Sequence, residues 1–401
     1  SVASRGLGDV YKRQYQSSNI KVQNKNLNNI KDNFGSISPY SDEEVVGVIE
    51  SLIEDKKFHR VISSQIYPPL LNLFPSLSSI LFKRNFKKSF GTCKSIKDFQ
   101  DNLAPYVGQM IERTTDGFTY TGVENLNTKP TLYISNHRDI ALDSLFLNFA
   151  RYMEGMPTVR IAIGDNLLDS SFFEKIMKLN KSFVVHRNIK GAKETLKKLS
   201  NLSRYINHSL NKDKESIWIA QLEGRANDGN DFTDPAVLKM LYLAERKSLD
   251  INNWIKQVNL TPVSISYEYD PLDITKAIGW EGWEDLSYEE NNKRDLSELV
   301  KGVKESKGRV HLHIGKNISE SVENIENLAE LIDREIITNY KLWPSNYISA
   351  HALGLIDTKK NFEGKENLFL NRFKDLDQTT LEKALEMYAA PLENLKKRLD
   401  T

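Results

Sequence analysis

Cysteine is almost missing from this chain. Cys93 is the single one among 401 residues, which excludes an internal disulfide framework and fits a reducing compartment. Long apolar runs are missing too, since no stretch reaches the 18 or so consecutive apolar residues of a spanning helix. Charge of one sign is not in excess: 55 Lys and Arg face 54 Asp and Glu, for a formal charge of +1. That balance gives no global field of the kind that marks a nucleic-acid binder. No Gly-x-Ser-x-Gly elbow is present, so a serine-hydrolase mechanism has no obvious nucleophile. The one glycine-rich hint, Gly279-Trp280-Glu281-Gly282-Trp283, lacks the strand-turn-helix context of a dinucleotide site.

What is there is alternation of strands and helices on a chain long enough for one main domain with helical additions. Residues 1–14, SVASRGLGDVYKRQ, resemble translated adaptor read-through and are set aside; residues 15–40, rich in Asn, Ser and Lys, are expected to be disordered. Residues 41–115 read as a helical N-terminal region, beginning at SDEEVVGVIESLIED with an N-cap residue and acids in the first turn. Within it, Ile66 to Lys88 mixes bulky apolar residues with Lys83, Arg84, Lys87 and Lys88, and Pro68, Pro69 and Pro75 are expected to break it into short pieces. That stretch reads either as a packed helical pair with a solvated basic end or as an anchor for an anionic membrane surface. Residues 116–345 alternate strands (117–121, 159–163, 183–185, 217–220, 261–267, 310–314) with helices (143–152, 172–179, 192–210, 237–245), which argues for an α/β sheet with its chemistry at strand ends. The charged stretch from Asp270 to Lys307 has no clear pattern. Residues 346–401 read as a helical C-terminal region.

The chemistry is carried by Ser135-Asn136-His137-Arg138-Asp139-Ile140-Ala141-Leu142-Asp143. A histidine that takes a proton from a hydroxyl needs a carboxylate to fix its tautomer and stabilise its cation, and Asp143 or Asp139 can supply one. With 54 acids and seven histidines, such a pairing arises about once by chance, so the box gains meaning only from the blocks around it. FTYTGVENLNTKPTLYI precedes it; SFVVHR (182–187), IWIAQLEGRANDG (217–229) and LTPVSISYEY (260–269) come after. In this order the blocks resemble the PlsC-like glycerolipid acyltransferase superfamily, with its NHxxxxD box, FFIRR-like strand end, EGTR-like box and V-P-V strand. The resemblance spans roughly residues 116 to 320 and implies a mixed α/β sheet with flanking helices. Five residues, rather than the family's four, separate His137 from Asp143, and Glu223-Gly224-Arg225 lacks the residue usually found between Gly and Arg.

By this resemblance His137 is the general base and Asp143 its partner, with Asp139 as the other possible carboxylate. Arg138, Arg187 and Arg225 would hold an acceptor phosphate, for which guanidinium forks are suited. Glu223 would lie beside the acceptor, and Gly224 would present an N–H to the oxyanion. The implied reaction moves a fatty acyl group from acyl-CoA or acyl-carrier protein to a glycerol phosphate or lysophospholipid hydroxyl, with no metal or bound cofactor. The expected setting is cytoplasmic, peripheral on the inner membrane. The alternatives are another lipid acceptor, such as an ornithine lipid or lipid A precursor, or a non-catalytic lipid-binding protein. His311 and His313 share one strand face and are expected to be satisfied there rather than to bind a metal.

Overall fold

A computed structural model describes residues 34–66, 74–168, 171–187, 189–279 and 288–399. It divides into two units, Ser1–Ser38 and Pro39–Thr401. In the first, residues 34–38 form a turn in which the Ile37 and Ser38 N–H groups return to Phe34 O. The adaptor-like string and the expected disorder up to residue 33 lie outside the described residues, as do Trp280 to Trp283.

The second unit is built on a seven-stranded sheet. In chain order the strands are β1 (Phe118–Thr121), β2 (Leu132–Ser135), β3 (Arg160–Gly164), β4 (Ser182–Val185), β5 (Ile217–Ala220), β6 (Thr261–Tyr267) and β7 (Val310–Ile314), arranged β1-β7-β6-β2-β5-β3-β4. All neighbours are parallel except β6 and β7. Parallel strands put their succeeding loops on one side, so the segments after β2, β3, β4 and β5 emerge together beyond the strands' C-terminal ends. Those are the His box, residues 165–168, the His186-Arg187 segment and the EGR loop.

Central position explains the strand composition. β2 is buried along its whole length and β6 at all seven residues, its Thr261, Ser264 and Ser266 included, as central strands covered on both faces should be. Helix α5 (Leu142–Met153) presses Phe146, Leu147 and Ala150 against Tyr133, Ile161 and Tyr267 in the main core. Burying side chains of the size of Phe146 and Leu147 contributes about 1.5 to 3 kcal/mol each.

Before the sheet come α1 (Asp42–Glu54), α2 (Lys56–Ile66), α3 (Pro75–Phe90) and α4 (Ile96–Thr114). Two have the start signals their sequences promise: Ser41 N–H donates to Glu44 Oε2 at 2.8 Å, and Ser95 and Asp98 exchange bonds of 3.0 and 3.1 Å. The segment from Ile66 is interrupted before Pro75, and Pro68 and Pro69 lie outside the described residues. Pro75 sits in the first turn of α3, where a missing N–H costs nothing, and the helix runs unbroken to Phe90. Phe82, Phe86 and Phe90, four residues apart, pack with Val45, Ile49 and Leu52 of α1 and Phe172 of α6 (Ser171–Leu179). Residues 67–73 lie outside the description.

Between strands β4 and β6 run α7 (Ala192–Asn211), α8 (Pro235–Tyr242) and α9 (Ile251–Val258); α10 (Asp273–Ile278) and α11 (Tyr288–Lys304) come after β6. The described residues of the patternless stretch after Asp270 are thus largely helical. α12 (Ile325–Thr338) and α13 (Pro344–Ala352) precede α14 (Glu366–Leu370) and α15 (Gln378–Leu399). Neither α9 nor α12 is expected from the pattern of the sequence. The C-terminal helices form a further core in which Phe369, Phe373 and Tyr388 meet Tyr269 just after β6. No helix among the described residues is long and apolar enough to cross a membrane.

Candidate active site

The His box turns sharply after β2 because its polar side chains are fastened on arrival. Asn136 accepts from the Ile265 N–H at 2.8 Å and donates to Ile265 O at 2.9 Å, so the side chain acts as an extra rung onto β6. Ser135 Oγ donates to Asn136 O at 2.8 Å and accepts from the Trp218 indole at 2.9 Å. His137 is next, with its ring edge-on to Trp218 at 5.7 Å.

Of the two carboxylates left open by the sequence, Asp143 is the one in contact with the ring. His137 Nδ1 lies 2.8 Å from Asp143 Oδ2. The same oxygen accepts the Arg138 N–H at 2.7 Å and the Asp139 N–H at 3.1 Å, while Oδ1 accepts the Tyr267 hydroxyl at 2.7 Å. The turn is therefore wrapped around the carboxylate, which absorbs the extra residue between His and Asp. Burial alone would raise the Asp143 pKa, but the bonds from His137, Tyr267 and the Asp139 N–H hold it below the ordinary carboxylate value. Tyr267 moves the opposite way: burial, with the charges of Asp143 and Asp139, pushes its phenol well up, so it stays a donor. An ionised Asp143 can only accept, which makes Nδ1 the protonated nitrogen and leaves Nε2 the basic one.

Asp139 has another task. Its Oδ1 accepts from the N–H groups of Ala141 and Leu142 at 3.0 and 2.9 Å, capping α5, and Oδ2 abuts Gly302 of α11. Burial and the neighbouring Asp143 charge raise its pKa. Removing the Tyr267 hydroxyl tests how strongly the pair is supported: Tyr267→Phe should cost about 1 to 3 kcal/mol by leaving a buried carboxylate oxygen short of a donor. Urea denaturation measures this, and an unchanged midpoint would mean that the bond carries no net stability.

His137 lines a cavity of about 700 Å³. Ile163, Val185, Leu199, Leu202, Val237 and Met240 give it apolar walls from β3, β4, α7 and α8. Its polar side gathers His186, Arg187, Glu223, Gly224 and Arg225. Arg187 Nε lies 3.6 Å from Glu223 Oε1, and the Arg187 N–H donates to Asp165 Oδ1 at 3.1 Å. His186 turns to the other oxygen of Asp165 at 3.0 Å. Gly224 adopts φ of +84°, a conformation that other residues reach only with strain, which explains glycine in a loop with open space around it. The EGR loop is tied to the His box by the Ala226 N–H, which donates to His137 O at 2.9 Å.

Arg138 is not brought to this cavity. Its guanidinium is buried on the far side of the turn, paired with Asp231, donating to Gly229 O at 3.1 Å and lying over the Tyr340 ring. Beside it Lys276, fully buried, donates to Arg138 O at 2.7 Å and to Asp270 at 2.6 Å. Arg138 thus braces the box from behind. His311 and His313 are held by Thr119 and Thr121 across the β1–β7 pair at 2.8 to 3.1 Å, and burial pushes His311 down to about 4.

One group of residues at the site is not expected from the sequence. Arg294 and Asp295 of α11 line the cavity, and Glu298 bonds Arg225 at 2.6 Å. Their signal is weak because charged residues on an amphipathic helix ordinarily mark a solvated face.

A mixed α/β sheet thus places a His–Asp pair at its strand ends, on the wall of a cavity with one apolar and one polar side. Residues 117–265 match the model of the acyltransferase family. Among solved structures, the 1-acyl-sn-glycerophosphate (LPA) acyltransferase PlsC from Thermotoga maritima aligns over 70% of this chain and 94% of its own, at 13% identity and a TM-score of 0.35. No curated protein matches the chain significantly.

Proposed function

We propose that the protein moves a fatty acyl group from acyl-CoA or acyl-carrier protein to the hydroxyl of a glycerol phosphate or lysophospholipid, with His137 as general base. The observation that carries this reading is the His137–Asp143 pair on the wall of the 700 Å³ cavity. Asp143 fixes the ring so that Nε2 takes the hydroxyl proton as oxygen attacks the thioester carbonyl. The proton then passes to the departing thiolate, and Asp143 stabilises the imidazolium in between. Arg187 and Arg225, which line the cavity, would hold the acceptor's phosphate, with Glu223 beside it and the Gly224 N–H as a donor to the oxyanion. Labelled acyl-CoA and acyl-carrier protein, each offered with glycerol 3-phosphate and a panel of lysolipids, test the reading. Acylated product from at least one pair is expected; none from any pair would contradict it.

Substrates of this kind lie at membranes, and α3 offers a suitable face. Leu77 and Ile80 are 45% and 63% exposed, and they share a side of the helix with exposed Arg84, Lys87 and Lys88, opposite the buried Phe82, Phe86 and Phe90. Lys83 is less available, being paired with Glu54 at 2.7 Å. Each basic residue near an anionic surface is worth about 1 kcal/mol, so three contribute on the order of 3 kcal/mol to a peripheral attachment, here proposed for the cytoplasmic face of the inner membrane. The triple exchange of Arg84, Lys87 and Lys88 for Glu should release the protein from anionic vesicles in flotation, and raised salt should weaken wild-type binding. Equal flotation of both forms would show that this face is not the docking surface.

A further inference from the structure

The acyltransferase match stops at residue 265, yet one wall of the cavity comes from beyond it. α11 brings Arg294 and Asp295 to the lining. Glu298, one turn further on, is 6% exposed and does not line the cavity; it sits behind the wall. Its Oε2 accepts from Arg225 at 2.6 Å, and its Oε1 lies 3.7 Å from Arg294 Nε. Asp295 completes the wall by accepting from Asn166 at 2.7 Å and from Arg294 at 3.2 Å. One buried carboxylate therefore bridges two guanidinium groups, both of which face the cavity that holds His137.

This arrangement has a physical logic. Two guanidinium groups side by side repel, and a carboxylate between them offsets that repulsion while fixing both planes. A guanidinium presents its five N–H donors as a planar fork, and both forks also line the cavity. Placing Glu298 behind the wall rather than in the cavity makes it a support for the arginines, not a competitor for what they bind.

We propose that Arg294, bridged to Arg225 by Glu298, joins Arg187 and Arg225 in the subsite for the phosphate monoester of the acyl acceptor, with Arg294 as a binding residue supplied from outside the matched domain and Glu298 as a positioning residue. The proposal rests on the acyltransferase reading of the same cavity and names which phosphate the cavity serves. A thioester donor such as acyl-CoA also carries phosphates, so the test separates the two sources.

Steady-state kinetics of the full chain, varying sn-glycerol 3-phosphate and acyl-CoA in turn, would be measured for wild type, Arg294→Ala, Arg294→Lys and Glu298→Gln. In parallel, sn-glycerol 3-phosphate and lysophosphatidate would be titrated calorimetrically into each form, with thermal midpoints confirming the fold. Arg294→Ala should raise the acceptor KM and Kd roughly 10- to 150-fold and leave the donor KM within about twofold. Arg294→Lys should recover only part of this, since charge returns without the fork. Glu298→Gln should raise the acceptor KM by a smaller factor with kcat little changed. A shift in the donor KM instead, an equal shift in both, or no shift overturns the proposal. The titration reads independently of turnover. Arg294-dependent binding by a protein that transfers no acyl group would uphold the subsite while the acyltransferase reading fell. A wild type that binds neither phosphate monoester would overturn the subsite.

Discussion

Replacing His137 with alanine should lower kcat for acyl transfer by a factor on the order of 10² to 10⁴ while leaving the thermal midpoint within a degree or two, the usual range for a positioned general base. The ring's side chain is 13% exposed, and its polar contact is the 2.8 Å bond to Asp143, so truncation should not undo the sheet or its loops. What remains in the variant is the cavity, the arginines and the loop N–H groups, enough to bind both substrates. The KM values should therefore move little while kcat collapses. Activity within tenfold of wild type would show that another group takes the hydroxyl proton.

Asp143→Asn should be nearly as damaging, by roughly 10³ to 10⁴ in kcat, because an amide can neither stabilise the imidazolium nor guarantee the tautomer. It should also destabilise the protein, since Asp143 accepts from His137, Tyr267 and two backbone N–H groups at 2.7 to 3.1 Å while buried. Asp139→Asn is the internal control. Its Oδ1 caps α5 through the Ala141 and Leu142 N–H groups, a role asparagine performs about as well. Its kcat should stay within a few-fold of wild type, and the opposite ranking of the two variants would transfer the catalytic role to Asp139. The pH dependence carries the same signature. Asp143 is held below the ordinary carboxylate pKa of about 3.9, so its contribution to stability is complete above that value and lost as pH falls through the folded-state pKa. Urea midpoints of wild type should accordingly drop further below about pH 4 than those of Asp143→Asn.

The sheet was legible where short β-prone segments, apolar throughout or alternating, stood between turns: Ile217–Ala220, Thr261–Tyr267 and Val310–Ile314 are strands over the same residues that the pattern predicts. His137, Arg187, Glu223, Gly224 and Arg225 also converge on one cavity, because parallel topology gathers the ends of β2, β4 and β5. Local pattern fails where the partner is distant. Arg138 reads as a phosphate ligand by its place beside His137, but Asp231, 93 residues on, takes its guanidinium into the interior. Glu298 and Asp295 look like a solvated helical face until Arg225 and Asn166, 73 and 129 residues away, are brought against them. Pro75 is ambiguous for a different reason: a proline can end a helix or open one, and its place in the first turn of α3 decides.

The proposed mechanism stands on direct attack by the acceptor hydroxyl, with no acyl-enzyme, and thiol release from acyl-CoA measured with and without acceptor in the same sample decides it. No burst and no added protein mass are expected when acyl-CoA is present alone. Thiol should then appear in step with acylated lipid once an acceptor hydroxyl is supplied, and His137→Ala should slow that release by the same factor on the order of 10² to 10⁴. A stoichiometric burst of thiol without acceptor, with a matching acyl mass on the protein, would contradict direct attack.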